Sequence, residues 1–169
     1  MADVDVATDP GDVDVDELWA VYSAVFDDHA DPAAWREGTW DRHAAREGFR
    51  LARSRHDSRL VGFAYGYTGQ PGQWWTDTVR SALDADVADA WLGGHFEVVT
   101  LGVLPDARRS GVGRALMQAL LDGLPHDRLL LQTASDASDP ARLLYASEGW
   151  TVLGPGTGPA TVVMGRRRG

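Results

Sequence analysis

No cysteine occurs among the 169 residues, so disulfides, thiolate metal sites and a covalent thiol carrier are all excluded. Lysine is also absent, which leaves arginine to supply every fixed positive side-chain charge. Isoleucine and asparagine are missing too; with lysine they belong to AT-rich codons, so a GC-rich gene is implied. No apolar run approaches the roughly 20 residues needed to span a bilayer. The opening Met-Ala-Asp-Val-Asp-Val is acidic, unlike a signal peptide. These absences point to a cytoplasmic protein with no membrane partner and no metal. Positive charge is in deficit as well: a formal net charge of −9 argues against a nucleic-acid partner and suits attraction of a cationic amine.

What is present centres on residues 95–124. Phe96, Val98, Val99, Leu101, Val103 and Leu104 make an apolar, partly β-branched run that suits a strand covered on both faces. Pro105 ends it. From Val112, apolar residues recur at helical spacing through Leu116, Ala119 and Leu120. The intervening turn, Arg108-Arg109-Ser110-Gly111-Val112-Gly113, opens a helix whose first amides lack intrahelical partners and carry the positive end of the macrodipole. Gly111 and Gly113 remove side chains that would hold an anion away, and Arg108, Arg109 and Arg114 add donors suited to phosphate. The stretch therefore reads as a pyrophosphate cradle. It is not a P-loop, which requires lysine, nor a dinucleotide fingerprint, whose third glycine position is Leu116.

Arg-x-x-Gly-x-Gly after an apolar strand resembles the acyl-CoA-binding motif of the GNAT superfamily of N-acetyltransferases. Residues 138–150 resemble the second signature of that superfamily, with Ala141, Leu144, Tyr145, Gly149 and Trp150 at its spacings. The resemblance covers the C-terminal half. It implies an α/β (α+β) fold in a single domain, 1–169: a mixed, mostly antiparallel sheet of about six to seven strands, splayed at the middle, with helices on both faces. It also implies acetyl-CoA as acyl donor, an amine acceptor and direct transfer in a ternary complex. Leu101 and Val103 would bind the pantetheine arm through backbone groups, with the Val103 N–H as oxyanion donor. Arg108, Arg109, Ser110, Gly111, Gly113 and Arg114 would hold the diphosphate. Ser138 stands where the superfamily commonly has asparagine beside the pantetheine. Glu97 would be the general base or a structural carboxylate, with His95 as the alternative base, otherwise a solvated histidine. Tyr145 would protonate the departing thiolate, or be an ordinary core tyrosine.

The rest of the chain is read from pattern. Residues 3–7 alternate as an edge strand, and a helix follows from Asp14 or Asp16 to about His29. Asp31-Pro32 starts another, ending near Gly48. Strands are expected at 49–56, 60–67, 128–133, 150–153 and 160–164, and a helix capped by Asp139. The connection at 69–94 is longer than the superfamily pattern and reads as a helical insertion, with Trp75, Val79, Leu83, Val87 and Trp91 keeping one period. It is either a lid over the acceptor, with Trp74 and Trp75 as apolar contacts, or a surface or dimer-contact helix. A homodimer is expected only because the superfamily often pairs. Arg166–Arg168 read as a solvated tail. The acceptor is expected to be a small cationic amine; the alternatives are a protein N-terminus or lysine, and a non-catalytic acyl-CoA-binding module.

Overall fold

The computed structural model describes residues 2–168. Its strands are hydrogen-bonded in the order β1-β2-β3-β4-β5-β7-β6, so the chain is a mixed α/β protein with a seven-stranded sheet. Pairing is antiparallel for β1–β2, β2–β3, β5–β7 and β6–β7 and parallel for β4–β5. The chain forms two compact units, one of residues 1–67 and 99–124, the other of 68–98 and 125–169.

In the first unit, β1 (Asp3–Ala7) pairs with β2 (Arg50–His56), which turns into β3 (Arg59–Gly69). The hairpin is tight because Asp57 and Ser58 both take positive φ, at 49° and 66°, the geometry that follows the strands' own twist. Between β1 and β2 lie α1 (Val15–Val25), α2 (Pro32–Trp35), a π-helical turn (Arg36–Trp40) and α3 (Asp41–Ala44). The helix expected to reach His29 stops at Val25, and Phe26 turns extended. Alternation along β3 sorts the layers. Phe63 and Tyr65 join an aromatic core with Tyr22, Trp35, Trp40 and Phe49 from the α1–α3 region. Gly62 lies against α6 (Val112–Leu121), where a Cβ would stand 3.1 Å from Leu116 and 3.3 Å from Val112. Arg50 closes the far end of α6 by donating to Ala119 O and Asp122 O, at 3.1 and 2.7 Å, where the helix dipole is negative.

In the second unit, α4 (Trp74–Ala82) and α5 (Ala85–Trp91) form the expected insertion as two short helices rather than one. The period seen in the sequence is broken where Leu83 and Asp84 turn extended. Across the break the buried face moves on by one residue: Ala88 and Leu92 join Val79 and Leu83 against Leu130 and Val163 of β5 (Arg128–Ala134) and β7 (Thr161–Arg167), while Val87 and Trp91 are half-buried beside them with Leu153 of β6 (Thr151–Pro155). The terminal arginines are not a loose tail. Arg166 and Arg167 belong to β7, and Arg167 stacks on Trp91 at 4.5 Å and donates to Ala90 O. The Arg168 amide is held by Asp127 O. A strand position and a cation–π contact fix residues whose charge alone suggested solvent.

The remaining helix, α7 (Pro140–Ser147), begins as expected. Asp139 accepts from the amides of Ala141 and Arg142 at 2.9 and 3.3 Å, with Pro140 in the first turn. Asp139→Ala should lower the unfolding free energy by about 1 kcal/mol. The test is urea denaturation, read as a lower midpoint at unchanged slope.

Candidate active site

The turn in the first unit is built as its glycines suggest. β4 (His95–Val103) ends at Leu104, a one-turn 3₁₀ segment (Pro105–Ala107) follows, and α6 starts at Val112. Gly111 is the N-cap at φ 83°, and no atom lies within 4 Å of the position a Cβ would take. Arg109 shares the left-handed region at φ 62°. Aspartate side chains cap α1, α2 and α7, but no side chain caps α6. Its first amides therefore open beside exposed Ser110, Gly111, Arg109 and Arg114, with Gly113 in the first turn. This arrangement fits a diphosphate.

Two side chains of the cradle are used within it. Arg108 Nε donates to Val103 O at 3.2 Å, folding that guanidinium back on the strand end. Ser110 Oγ donates to Ala107 O at 2.5 Å and closes the turn. Arg108 and Ser110 are thus engaged inside the turn, whereas Arg109 and the helix amides are exposed at its rim.

The strand before the turn has a defined polarity. The Leu104 amide donates to Val61 O of β3 at 2.8 Å, so residue 104 faces β3 and, by alternation, so does Gly102. The amides and carbonyls of Leu101 and Val103 consequently point away from β3, as an added strand or a pantetheine amide would require. Gly102 is close-packed, since a Cβ would meet Phe26 at 3.2 Å and Phe63 at 3.4 Å.

The second unit holds the two residues with candidate proton-transfer roles. Glu97 is 4% exposed on β4, in register with Leu130 where β4 runs parallel to β5 over Phe96–Val98. Tyr145 is 7% exposed on α7. Burial, then the charge of Asp139, pushes its phenol up to about 12, so it stays protonated at neutral pH. Its motif has a structural reason. Gly149 at φ 90° ends α7, the Trp150 amide returns to Tyr145 O at 3.1 Å and Gly149 N to Ala146 O at 3.2 Å, and the Trp150 ring lies 6.2 Å from the Tyr145 ring. That Schellman cap and its apolar clasp fix the tyrosine, which explains Tyr-x-x-x-Gly-aromatic as one device.

Ser138 is exposed, and its hydroxyl and amide both go to Asp136 Oδ1, at 2.7 and 2.9 Å. His95 is not solvated: it is fully buried against Gly69, accepts from the Gly93 amide at Nδ1, and has its pKa lowered to about 3 by burial, Arg128 and His126. A ring enclosed in this way takes a packing place in the core rather than the solvated one expected of it. Trp75 is tied down through its indole N–H to Gln132 Oε1 at 3.1 Å, whereas Trp74 is 68% exposed. Among the described residues no group of histidine, aspartate or glutamate could hold a metal, and no helix is long and apolar enough to cross a membrane.

One polar cluster was missed in the sequence. In the first unit Asp28 accepts from Tyr22 OH at 2.8 Å and pairs with His29 Nδ1 at 2.8 Å, and His29 Nε2 meets Thr39 Oγ1 at 3.0 Å. The helical reading through His29 hid it. The only available signal was the Asp27-Asp28-His29 run beside a proline-started helix.

Similarity to known proteins bears on the family and the fold. The acetyltransferase (GNAT) family profile matches residues 15–150. A GCN5-like protein acetyltransferase of Mycobacterium tuberculosis is 36% identical over 99 residues, covering 54% of this chain and 48% of its own; this chain thus aligns with about half the length of that relative. Among solved structures, an acetyltransferase from Thermus thermophilus matches with a TM-score of 0.68 at 15% identity, covering 99% of this chain and 97% of that one. The ribosomal-protein-S18-alanine N-acetyltransferase from Escherichia coli matches at 0.65 and 16%, covering 99% and 94%. At such identities the two structures speak for the fold alone. The chain belongs to the GNAT acetyltransferase family.

Proposed function

We propose that this protein transfers an acetyl group from acetyl-CoA to a primary amine of a small cationic molecule, by direct attack. The observation that carries the reading is the uncapped start of α6, with Gly111 in the left-handed region, directly after a strand whose Leu101 and Val103 backbone groups face away from β3. The α6 amides, Arg109 and Arg114 neutralise the diphosphate. Leu101 and Val103 bind the pantetheine arm, and the Val103 N–H donates to the thioester oxygen as negative charge builds there. Glu97 accepts the proton the nitrogen sheds as the C–N bond forms. Tyr145, protonated and held by its cap, supplies a proton to the thiolate. Trp74 offers an exposed apolar surface to the acceptor.

A second acceptor class has a specific support: the 36%-identical relative is described as a protein acetyltransferase. In that reading the same residues act on a lysine side chain or a protein N-terminus. Calorimetry with acetyl-CoA, followed by a thiol-release assay on a panel of small amines and of peptides, separates the cases. Binding with turnover on small amines is expected. Turnover on peptides alone moves the acceptor to protein, binding without any turnover reduces the chain to an acyl-CoA-binding module, and no binding sinks the reading.

A further inference from the structure

The Tyr22–Asp28–His29–Thr39 cluster is used by none of the roles above, yet it lies on the part of the first unit that packs over Gly102. Phe26 Cε2 stands 3.2 Å from where a Gly102 Cβ would be, the Phe26 and Tyr22 rings are 5.0 Å apart, and the Tyr22 and His29 rings 5.9 Å. The cluster is ordered from both sides. Asp28 is clamped by the phenol of Tyr22, a buried residue of α1. Thr39 comes from the π-helical turn Arg36–Trp40, and such turns are rare and frequently found at functional sites.

The pairing selects one tautomer. A carboxylate accepts only, so Nδ1 of His29 carries the hydrogen and donates to Asp28, leaving the Nε2 lone pair to receive the Thr39 hydroxyl. The Nε2 lone pair, holding no more than a hydroxyl, is the ring's basic position, and the Asp28 carboxylate behind the ring fixes its orientation. The His29 side chain is 21% exposed and that of Asp28 58%, so the pair is within reach of a solute. The titratable groups meeting His29 are Asp28 from the loop and Tyr22 from α1, and the π-helical turn presents it with a hydroxyl.

Resting on the acetyl-transfer reading, we propose that His29, aligned by Asp28, takes the first proton from the acceptor's ammonium group and so delivers a neutral amine for attack. An alkyl amine reaches the protein at neutral pH as R–NH₃⁺, whose nitrogen has no lone pair. Becoming an amide removes two protons from it. The first goes to His29 Nε2, and the second leaves to Glu97 as the C–N bond forms. The C–S bond breaks with its electron pair on sulfur, and Tyr145 protonates that thiolate. Two protons leave nitrogen, one ends on sulfur, and the net proton returns to solvent. Asp28 is a positioning residue, since it acts through the imidazole.

The experiment measures kcat/KM for an alkyl amine from pH 6.5 to 10 in the wild type, His29→Gln and Asp28→Asn, with acetyl-CoA calorimetry alongside. At pH 7, His29→Gln should lose roughly a hundredfold, the scale of a positioned acid–base group. The gap should narrow steadily towards pH 10, where roughly a third of an alkyl amine already arrives neutral. Acetyl-CoA affinity should be unchanged. Asp28→Asn should show the same pH-selective loss at smaller size, which keeps the test open if His29→Gln does not fold. A gap of equal size at every pH marks a structural role and overturns the inference, as does no gap at all. Wild-type protein that acetylates no amine overturns the acetyl-transfer reading itself, a result distinct from either.

Discussion

Lowering the pH from 7 to 5 should destabilise the folded protein by on the order of 4 kcal/mol, through two histidines. His95 is held at about 3 by burial and by the charges of Arg128 and His126, and His43 at about 4 by burial and by Arg46 and Arg42. Both lie below the ordinary imidazole value of 6.5, so the folded state resists protons that the unfolded chain accepts. The sign follows. Their stabilisation is fully present above about pH 6.5 and is lost as the pH falls towards the folded-state values. Each group contributes about 1.4 kcal/mol per pH unit once the unfolded imidazole is protonated, so two groups over about 1.5 units give the figure above. His95 has no easy relief, because its ring fills the space at Gly69, where a Cβ would stand 2.1 Å from Nε2. His43 is tied to Tyr65 OH at 2.8 Å. Denaturant melts at pH 7, 6 and 5 test this above the range where most carboxylates titrate. A midpoint that stays constant across the interval would refute it, and His43→Gln should flatten the slope by about half if the two histidines contribute equally.

Glu97→Gln should lower kcat for amine acetylation by about 10² to 10⁴, with acetyl-CoA binding retained, because the amide keeps the shape of the side chain but cannot accept the proton. Glu97 is 4% exposed on a strand flanked by Phe96 and Val98, so the near-isosteric amide leaves the packing around it in place. The unfolding curve of the variant, measured beside its turnover, separates the catalytic effect from misfolding. Tyr145→Phe should cost less above about pH 8.5, where a departing thiolate is stable without a proton. Single-turnover measurements in both variants, checked against their unfolding curves, are the arbiter. Near-normal turnover in Glu97→Gln would return that residue to a purely structural role.

Much of the site could be read in the chain because its constraints are local. A strand, a glycine at positive φ and a helix amide form within about twenty residues, and the Tyr145–Gly149–Trp150 cap within six, so residue spacing carries the geometry. The hairpin at Asp57-Ser58 and the capping by Asp31 and Asp139 are legible for the same reason. What escaped depends on contacts far apart in sequence or on breaks in a regular pattern. The burial of His95 is decided by Gly69 and Trp75, and nothing at residue 95 itself announces it. The His29–Thr39 contact joins a loop to a π-helical turn, where neither a 3.6-residue nor a two-residue period applies. The split of the insertion at Leu83-Asp84 is masked because Val87 and Trp91 continue the period of Trp75, Val79 and Leu83, although the second helix buries Ala88 and Leu92 instead. The placement of Arg167 follows from Trp91, a partner 76 positions earlier.

The order β5-β7-β6 has a consequence for how the chain is made. β7 pairs with β5 over Arg128–Ala134 and with β6 over Thr151–Pro155, yet it is synthesised after both. While residues 161–167 are still in the ribosome, β5 and β6 both have open edges and no native partner for them. Open edges of that kind invite mispairing with neighbouring nascent chains. Assembly of this half of the sheet therefore waits on emergence of β7, and slowing translation upstream of it would lengthen the vulnerable interval rather than aid folding.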